Sequence, residues 1–225
     1  MPSGMAFSIV TGANRGIGLA LVAELAKRGP TVLAACRKSS PELAKLGVEV
    51  VEGVDVSTDA GIAALVAAVG ARTIDLLVNN AGILVWGDRL GELDVAGIRR
   101  QFEVNALAPL RLTDALRGRL ARGAKVALVT SRMGSIDDNT SGGAYGYRMS
   151  KAALNMAGKS LAVDLKGQGV AVAILHPGMV KTDMIGRHGQ VEPADAARDL
   201  IARIEELTLE TSGTFWHAKG ERLPW

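Results

Sequence analysis

Short apolar runs alternate with amphipathic stretches along most of the chain. The apolar runs, each bounded by glycine or polar residues, predict buried strands at 6–11, 31–35, 48–51, 74–78, 125–130, 170–175 and 213–216. Between them, helical spacing predicts helices near 19–29, 40–45, 59–69, 94–101, 102–120, 147–166 and 194–207. Strands that alternate with helices in this way indicate an α/β fold with a parallel sheet covered on both faces. Ligands of such a sheet lie at the carboxyl ends of its strands.

The first strand ends in a glycine-rich turn, TGANRGIG at 11–18, that leads directly into a helix. Glycines let a backbone approach a pyrophosphate closely, and the helix N-terminus presents unpaired N–H groups and a positive dipole end to it. The spacing is G-x-x-x-G-x-G rather than the common G-x-G-x-x-G. The turn is typical of a nucleotide site, and a simple corner in the chain is the alternative.

The residues after the second and third strands indicate which dinucleotide could bind. An acid after the second strand binds the ribose hydroxyls of NAD(H), whereas an arginine there can bind the 2'-phosphate of NADP(H). Arg37 occupies this place and no acid does, so Arg37, helped by Arg15, predicts NADP(H) in preference to NAD(H). The alternative is that both arginines are solvated surface charges. After the third strand, Asp55 either accepts a hydrogen bond from an adenine amino group or caps a loop.

Tyr147 and Lys151 lie four residues apart at the head of a predicted helix, so they share one of its faces. A nearby cation lowers the pKa of a phenol from its ordinary value near ~10, which suits acid-base chemistry at neutral pH. Ser131 follows the fifth strand directly, at the edge where ligands bind. Asn105 is a polar residue in an apolar helical stretch, and it either bonds to a neighbouring strand or holds a water or bends the helix at an active site.

Taken together, these motifs resemble the short-chain dehydrogenases/reductases (SDRs) over nearly the whole chain. They stand in family order: TGANRGIG at 11–18, NNAG at 79–82, Asn105, Ser131, YRMSK at 147–151 and HPGMVKT at 176–182. The stretches 131–155 and 213–225 are similar to the carbonyl reductases of the sniffer and C-factor type. The resemblance implies a Rossmann-type doubly wound parallel sheet of about seven strands in the order 3-2-1-4-5-6-7.

The resemblance also implies a role for each matching position. Tyr147 is then the general acid for reduction, and Lys151 lowers its pKa and holds the nicotinamide ribose. Ser131 binds the substrate oxygen, and Asn105 anchors a water. Because the loop after the fifth strand is longer than in many relatives, Ser135 competes with Ser131 for the serine role. The implied cofactor-binding residues are Gly12, Asn14, Arg15, Gly16, Ile17, Gly18, Arg37, Asp55, Val56, Asn79, Ala81, Gly82, Tyr147, Lys151, Pro177, Gly178, Val180 and Thr182.

Composition narrows the setting in which this chemistry would occur. The 225 residues contain no Pro/Gly/Ser-rich linker, which predicts one domain over 1–225, with a short substrate lid around 182–195. The net charge of +3 is small and dispersed, so neither nucleic acid nor a membrane is expected as a partner. A single cysteine, Cys36, and a start (Met1 to Gly4) without a basic leader predict the cytoplasm. The three histidines lack metal-ligand spacing, so no metal is predicted.

The activity that the resemblance implies is hydride transfer between NADP(H) and a small carbonyl or alcohol substrate, as in a carbonyl reductase, in a homodimer or homotetramer. One alternative is an NADP(H)-binding regulatory or redox-sensing protein with little turnover. The full Asn, Ser, Tyr and Lys set argues against it, since a sensor needs no proton donor. A sugar epimerase or dehydratase would need a larger substrate domain than the residues after Thr182 provide.

Overall fold

The structure, a computed structural model, describes residues 6–225; the predicted lack of a leader at the first four residues falls outside this range. Seven strands form one sheet in the order β3-β2-β1-β4-β5-β6-β7, as predicted, and every neighbouring pair of strands is parallel. The strands are β1 Phe7–Thr11, β2 Thr31–Ala35, β3 Glu49–Val51, β4 Ile74–Asn79, β5 Leu120–Val129, β6 Ala171–His176 and β7 Phe215–His217.

Seven α-helices cover the two faces of this sheet. They are α1 Gly16–Lys27, α2 Pro41–Ala44, α3 Asp59–Val69, α4 Val95–Phe102, α5 Ala108–Leu116, α6 Tyr145–Asp164 and α7 Pro193–Glu206. Three begin at a side chain that accepts a hydrogen bond from the first turn: Ser40 for α2, Thr58 for α3 and Asp94 for α4. These local caps explain why the starts of α2, α3 and α4 match the predicted starts within one residue.

The inner strands appear in the sequence as unbroken apolar runs because both of their faces are buried. Successive strand residues point to opposite sides of the sheet. Ile9 of β1 packs into a core that α3, α5 and α6 cover, and the next residue, Val10, packs into a second core beneath α1 and α7. In β6, Ile174 likewise packs into the first core and Leu175 into the second. The two cores hold the carboxyl edge of the sheet rigid.

Several boundaries differ from the prediction. Strand β5 begins five residues early because Leu120 already pairs with Ile74, before a register shift lets Leu76 pair with Lys125. The helices predicted to meet at residue 102 join through one π-helical turn, Glu103–Leu107, and α5 ends in a 3₁₀ turn at Arg117–Arg119. Strand β7 begins two residues later and ends one residue later than predicted.

The segment predicted as a lid is a loop held by backbone hydrogen bonds of its own. Val180 forms a parallel bridge with Val191, and Lys181 N donates to Val191 O at 2.9 Å. A Cβ at Gly189 would lie 2.4 Å from Lys181 N, so Gly189 allows close packing of this loop. Helix α7 begins at Pro193, so the last residues of 182–195 lie in its first turn, and a role of this segment as a substrate lid stays a prediction.

Three features of residues 6–225 concern membranes, metals and the cysteine. None of the helices in this range has the length and apolar character needed to cross a bilayer. No three His, Cys, Asp or Glu side chains of this range lie together as metal ligands would. Cys36 is buried, and that burial raises the pKa of its thiol, so it is an inert core residue.

Candidate active site

The glycine turn after β1 is held to the end of β4 by side chains. The Thr11 hydroxyl accepts hydrogen bonds from the backbone N–H groups of Asn80 and Ala81, both at 3.1 Å. In return, Asn80 Nδ2 donates to Thr11 O at 2.9 Å. A Cβ at Gly18 would lie 2.1 Å from Gly12 O, so only glycine allows this approach of turn and helix. Asn80 was missed by the sequence analysis, although it stands inside the NNAG motif.

The start of α1 is left open to an anion. Its N-cap residue Arg15 provides no side-chain cap, and no acidic side chain lies in the first turn. The positive end of the helix dipole and its N–H groups therefore remain available. A Cβ at Gly16 would lie 3.2 Å from the Thr182 methyl group, which brings the segment after β6 against the glycine turn; the predicted contact of Thr182 with a cofactor stays a prediction. These features fit the phosphates of a dinucleotide.

The ends of β2 and β3 lie beside this turn. Asn14 Nδ2 donates to Lys38 O at 3.0 Å and so connects the glycine turn to the segment that carries Arg37, whose side chain is exposed. Asp55 Oδ1 accepts from the Ser57 hydroxyl at 2.6 Å and from Ser57 N at 3.0 Å. These bonds, and to a smaller extent the charge of Arg37, lower the pKa of Asp55. Asp55 therefore caps its loop, and its contact with adenine stays a prediction.

Tyr147 and Lys151 lie on one face of α6, as predicted. The Lys151 ammonium lies 5.7 Å from the centroid of the Tyr147 ring and donates to Val129 O at 3.0 Å. Burial lowers the pKa of Lys151 to about 8. Burial also raises the pKa of Tyr147, while hydrogen bonding with the Ser131 hydroxyl lowers it by a smaller amount. The direction is opposite to the one expected from the lysine, because dehydration of the phenol outweighs the hydrogen bond with Ser131.

The two candidate serines have different surroundings. Ser131 is buried directly after β5, close enough to Tyr147 to affect the pKa of the phenol. Ser135 is also buried, but its hydroxyl donates to Trp225 O and accepts from Asp138 N, both at 3.1 Å. The geometry thus brings Ser131 to the phenol and commits Ser135 to a structural contact with the C-terminal segment.

Asn105 lies fully buried in the π-helical turn between α4 and α5. Its Oδ1 accepts from Ile83 N at 2.8 Å, and its Nδ2 donates to Ile83 O at 2.9 Å and to Ser150 Oγ at 3.0 Å. The Ser150 hydroxyl in turn donates to Tyr147 O at 2.8 Å. Asn105 therefore links the segment after β4 to the turn of α6 that carries Tyr147. The helix bend predicted at Asn105 corresponds to this π-helical turn, and the water that Asn105 was predicted to hold stays a prediction.

The remaining predicted residues occupy different parts of this edge. Gly82 lies beside the catalytic candidates, since a Cβ there would be 3.7 Å from Lys151 Nζ. The Asn79 amide is buried and donates to Thr113 Oγ1 at 3.2 Å, which places its side chain on the α5 side of the sheet. A contact between Asn79 and a ligand would have to use its backbone. Gly178, after Pro177, adopts a φ of 86°, which favours glycine in this turn.

A pair of histidines lies behind the site, at the ends of β6 and β7. The rings of His176 and His217 meet edge to face, with centroids 5.1 Å apart. Burial, followed by the charges of His217 and Arg132, lowers the pKa of His176 to about 3. His176 is therefore neutral at physiological pH and adds no charge beside Lys151.

A parallel sheet of this order, with a glycine turn after β1 and a tyrosine, a lysine and a serine at its carboxyl edge, defines a dinucleotide-dependent oxidoreductase. The short chain dehydrogenase family model matches residues 7–192. The chain therefore belongs to the short-chain dehydrogenase/reductase family, whose members act on small molecules with a nicotinamide cofactor.

Two relatives show how similar this chain is to characterised members. It is 45% identical to a 1-hydroxy-2-glutathionyl-2-methyl-3-butene dehydrogenase of Rhodococcus sp. (strain AD45), over 98% of this chain and 100% of that protein. It is 47% identical to the C-signal of Myxococcus xanthus, over 68% of this chain and 93% of that protein.

Solved structures with the same fold include carbonyl reductases. The Sniffer carbonyl reductase of D. melanogaster superimposes with a TM-score of 0.89 at 30% identity, covering 98% of this chain and 100% of that one. An NADPH-bound carbonyl reductase from chicken fatty liver gives a TM-score of 0.89 at 30% identity, with 98% and 99% covered. The resemblance to sniffer-type carbonyl reductases is confirmed.

Proposed function

We propose that this protein is an NADP(H)-dependent carbonyl reductase in which Tyr147 exchanges the proton of the substrate oxygen. The observation that supports the proposal most strongly is the meeting of Tyr147, Ser131 and Lys151 at the carboxyl edge of the sheet. Two hydroxyl groups and one ammonium converge there beside the glycine turn. This is the arrangement that reduction of a carbonyl group needs.

Each of the three side chains has a distinct chemical task. Negative charge builds on the carbonyl oxygen during reduction, and the Tyr147 hydroxyl donates its proton there while the Ser131 hydroxyl donates a second hydrogen bond. Losing one such donor costs on the order of 10²-fold in rate. A raised pKa keeps the Tyr147 phenol protonated at neutral pH, as an acid must be. Lys151, with a pKa of about 8, can exchange a proton near physiological pH.

The nicotinamide, when bound, would supply the hydride for reduction. The residues that would hold the dinucleotide line the carboxyl edge in order, and we assign them as follows. The glycine turn with the start of α1 would bind the pyrophosphate, and Gly82 with Lys151 would lie on the nicotinamide side. Thr182, in the segment after β6, would lie against the glycine turn.

Preference for NADP(H) is assigned to Arg37. Its side chain is exposed just after β2, next to the glycine turn, and none of the ion pairs within residues 6–225 includes it. A free guanidinium there can bind a 2'-phosphate through charge-assisted hydrogen bonds. We expect Arg37→Asp to raise the KM for NADPH by about 10-fold or more and to leave the KM for NADH unchanged or lower. Steady-state kinetics with both cofactors would measure this, and equal use of both cofactors by the wild type would contradict the assignment.

The class of substrate follows from the apolar rim of the site. Large exposed apolar side chains stand on the three loops that follow β4, β5 and β6: Trp86, Ile136, Met179 and Met184. Such side chains favour a substrate with an apolar group next to its carbonyl. The alcohol in the name of the Rhodococcus relative has a branched butene skeleton, and only this apolar part of it belongs in the same class, since it also carries a large charged glutathionyl group.

The test is an assay of NADPH consumption over a panel of aldehydes, ketones and quinones, with NADH measured in parallel. The panel also includes, in the oxidative direction, the glutathionyl alcohol that the Rhodococcus relative is named for. We expect turnover with NADPH and apolar carbonyl compounds, with a clear preference over NADH. No turnover with any compound, combined with tight NADPH binding, would contradict the proposal.

That outcome would instead favour a second candidate function, an NADP(H)-binding regulatory protein with little turnover. One observation supports this candidate: a relative that is 47% identical over 93% of its own length has the name C-signal. The two candidates differ in turnover and not in cofactor binding. The panel above, with NADPH binding measured by fluorescence, therefore separates them.

We also propose that the chain acts as a single cytoplasmic domain that self-associates as a homodimer or homotetramer. Support comes from α6, where Met149, Met156 and Val163 are exposed at intervals of seven residues and so form one apolar stripe. Light scattering coupled to size-exclusion chromatography would measure the mass. A monomer at micromolar concentration would contradict the expectation.

A further inference from the structure

The helix that carries Tyr147 and Lys151 begins without a cap of its own. Its N-cap residue Ala144 has no side-chain acceptor and adopts a left-handed φ of 47°, which is strained for alanine. Gly142 and Gly143, just before it, also have positive φ values of 62° and 61°. The chain therefore enters α6 through three left-handed residues in a row, and the sequence before the helix does little to fix its first turn.

The missing cap comes from another part of the chain. Asp88, in the loop between β4 and α4, is 6% exposed, and its Oδ2 accepts a hydrogen bond from Gly146 N at 2.6 Å. An N-cap side chain normally makes this bond to the second or third residue of its own helix, and Gly146 is the second residue of α6. The carboxylate also complements the positive end of the helix dipole. Its target lies directly before Tyr147.

Close packing around Gly146 keeps Asp88 in place. A Cβ at Gly146 would lie 2.5 Å from Gln101 Nε2 and 3.0 Å from Asp88 Oδ2, so glycine is needed for this contact. Gln101, fully buried in α4, accepts from Val85 N at 3.0 Å and so holds the loop that carries Asp88. Asp88 Oδ1 and Gln101 Nε2 are both buried without a hydrogen-bond partner. Among residues 6–225, Gly146 N is therefore the one hydrogen-bond partner of the Asp88 carboxylate.

We propose that Asp88 is a positioning residue for Tyr147: it caps α6 from outside the helix and thereby fixes where the phenol lies at the carboxyl edge of the sheet. Asn105 and Ser150 hold the same turn of α6 through Tyr147 O, from the opposite end. This inference rests on the proposed function for its kinetic consequence only. The placement of the phenol can be measured without turnover.

The kinetic test is Asp88→Ala. A shift of Tyr147 by about 1 Å can cost on the order of 10²-fold in rate, so we expect kcat to fall about 10- to 100-fold with the KM for NADPH unchanged. Asp88→Asn keeps an oxygen that can accept from Gly146 N, and we expect it to retain kcat within about 3-fold of the wild type. The Asn variant also serves if Asp88→Ala fails to fold. An Asn variant as inactive as the alanine variant would overturn the capping role.

Asp94→Ala is the matched control. Asp94 caps α4 in the same way, with Oδ1 accepting from Gly97 N at 2.9 Å, but it lies exposed at the far end of that helix from Asn105. Both variants lose an N-terminal cap, and kcat is compared for the folded fraction of each, so that the greater loss of stability expected for the buried Asp88 does not enter the comparison. We expect Asp94→Ala to keep kcat within about 2-fold of the wild type. Equal kcat values in the Asp88→Ala and Asp94→Ala variants would contradict the proposal.

A spectroscopic readout separates this proposal from the proposed function. The chain has two tyrosines, so in a Tyr145→Phe background the absorbance change of phenol ionisation reports Tyr147 alone. Burial raises the pKa of Tyr147, and a phenol released by Asp88→Ala should titrate closer to the ordinary value near ~10. An identical titration with and without Asp88 would overturn the inference, even if no substrate had been found.

Discussion

The starts of α1 and α6 face the same edge of the sheet, and neither has a cap from its own N-cap residue. At α1, Arg15 leaves the first turn uncapped, and that turn contains no acidic residue. At α6, a buried carboxylate from a distant loop occupies the first turn. The uncapped start of α1 suits a bound anion, because its positive end is free to attract one. The start of α6 is already neutralised by a carboxylate of the protein, which suits a side chain that must stay fixed. One end would therefore bind the cofactor, and the other would hold the catalytic group.

The largest effect on stability and on cofactor binding is expected from Gly18→Ala, which adds a side-chain atom in the first turn of α1. The new Cβ would lie 2.1 Å from Gly12 O and 2.6 Å from Asn80 Nδ2, so the backbone of the turn must move. We expect a loss of about 3 kcal/mol or more in the free energy of unfolding and no measurable NADPH binding. Urea unfolding and cofactor fluorescence would measure both.

Gly118→Ala is the control for that variant. No atom lies within 4 Å of a Cβ at Gly118, and the residue belongs to a 3₁₀ turn far from the glycine loop. Stability there should stay within about 1 kcal/mol of the wild type. If Gly18→Ala proved as harmless as Gly118→Ala, the close approach of turn and helix would not be needed.

A smaller effect on the free energy of unfolding is expected from the burial of Lys151, which lies near the start of α6 that Asp88 caps. The folded protein releases the Lys151 proton near pH 8, whereas the unfolded chain releases it near 10.5. Between these values the unfolded state binds more protons, so the free energy of unfolding should rise with pH. At about 1.4 kcal/mol per pKa unit, the contribution reaches about 3 kcal/mol at most.

Lys151→Met removes this titration. We expect the stability of the wild type relative to Lys151→Met to increase between pH 7.5 and pH 10, as measured by urea unfolding of both proteins. A difference that stays constant, or that shrinks as pH rises, would show that Lys151 is hydrated in the folded state.

The smallest change in stability is expected from Arg15→Asp, which converts the open helix end into a capped one. Asp is a favourable N-cap residue, so the free energy of unfolding should increase by about 0.5–1 kcal/mol. NADPH binding should weaken by about 10- to 100-fold, since a carboxylate would take the place of the phosphate. Thermal unfolding and binding titrations would follow the two effects, and a parallel change in both would contradict the role of this helix end.

The sequence predicted the strands, the glycine turn and the Tyr147–Lys151 pair because their signals are local, whereas the order of the strands was predicted from the resemblance to the short-chain dehydrogenases/reductases. Strands buried on both faces are continuous apolar runs, and the glycine turn and the Tyr147–Lys151 pair each lie within a few residues. The start of β5 was missed because Leu120 is separated from the apolar part of the strand by charged and small residues. The π turn was missed because one extra residue hardly alters a helical pattern.

Contacts between distant segments could not be predicted. Asp88 and Gly146 are 58 positions apart, and nothing in the loop around Asp88 marks it as a helix cap. The pKa of Tyr147 was predicted in the wrong direction because spacing shows the neighbouring lysine and does not show how deeply the phenol is buried.

The rate of Tyr147→Phe tests the proposed chemistry most directly. The substitution removes one hydroxyl and keeps the ring that packs beside Lys151. With the best carbonyl substrate, we expect kcat to fall by at least about 10³-fold while the Kd for NADPH changes by less than about 3-fold. A Tyr147→Phe variant that reduces the substrate at near wild-type rate would contradict the assignment of Tyr147 as the proton donor.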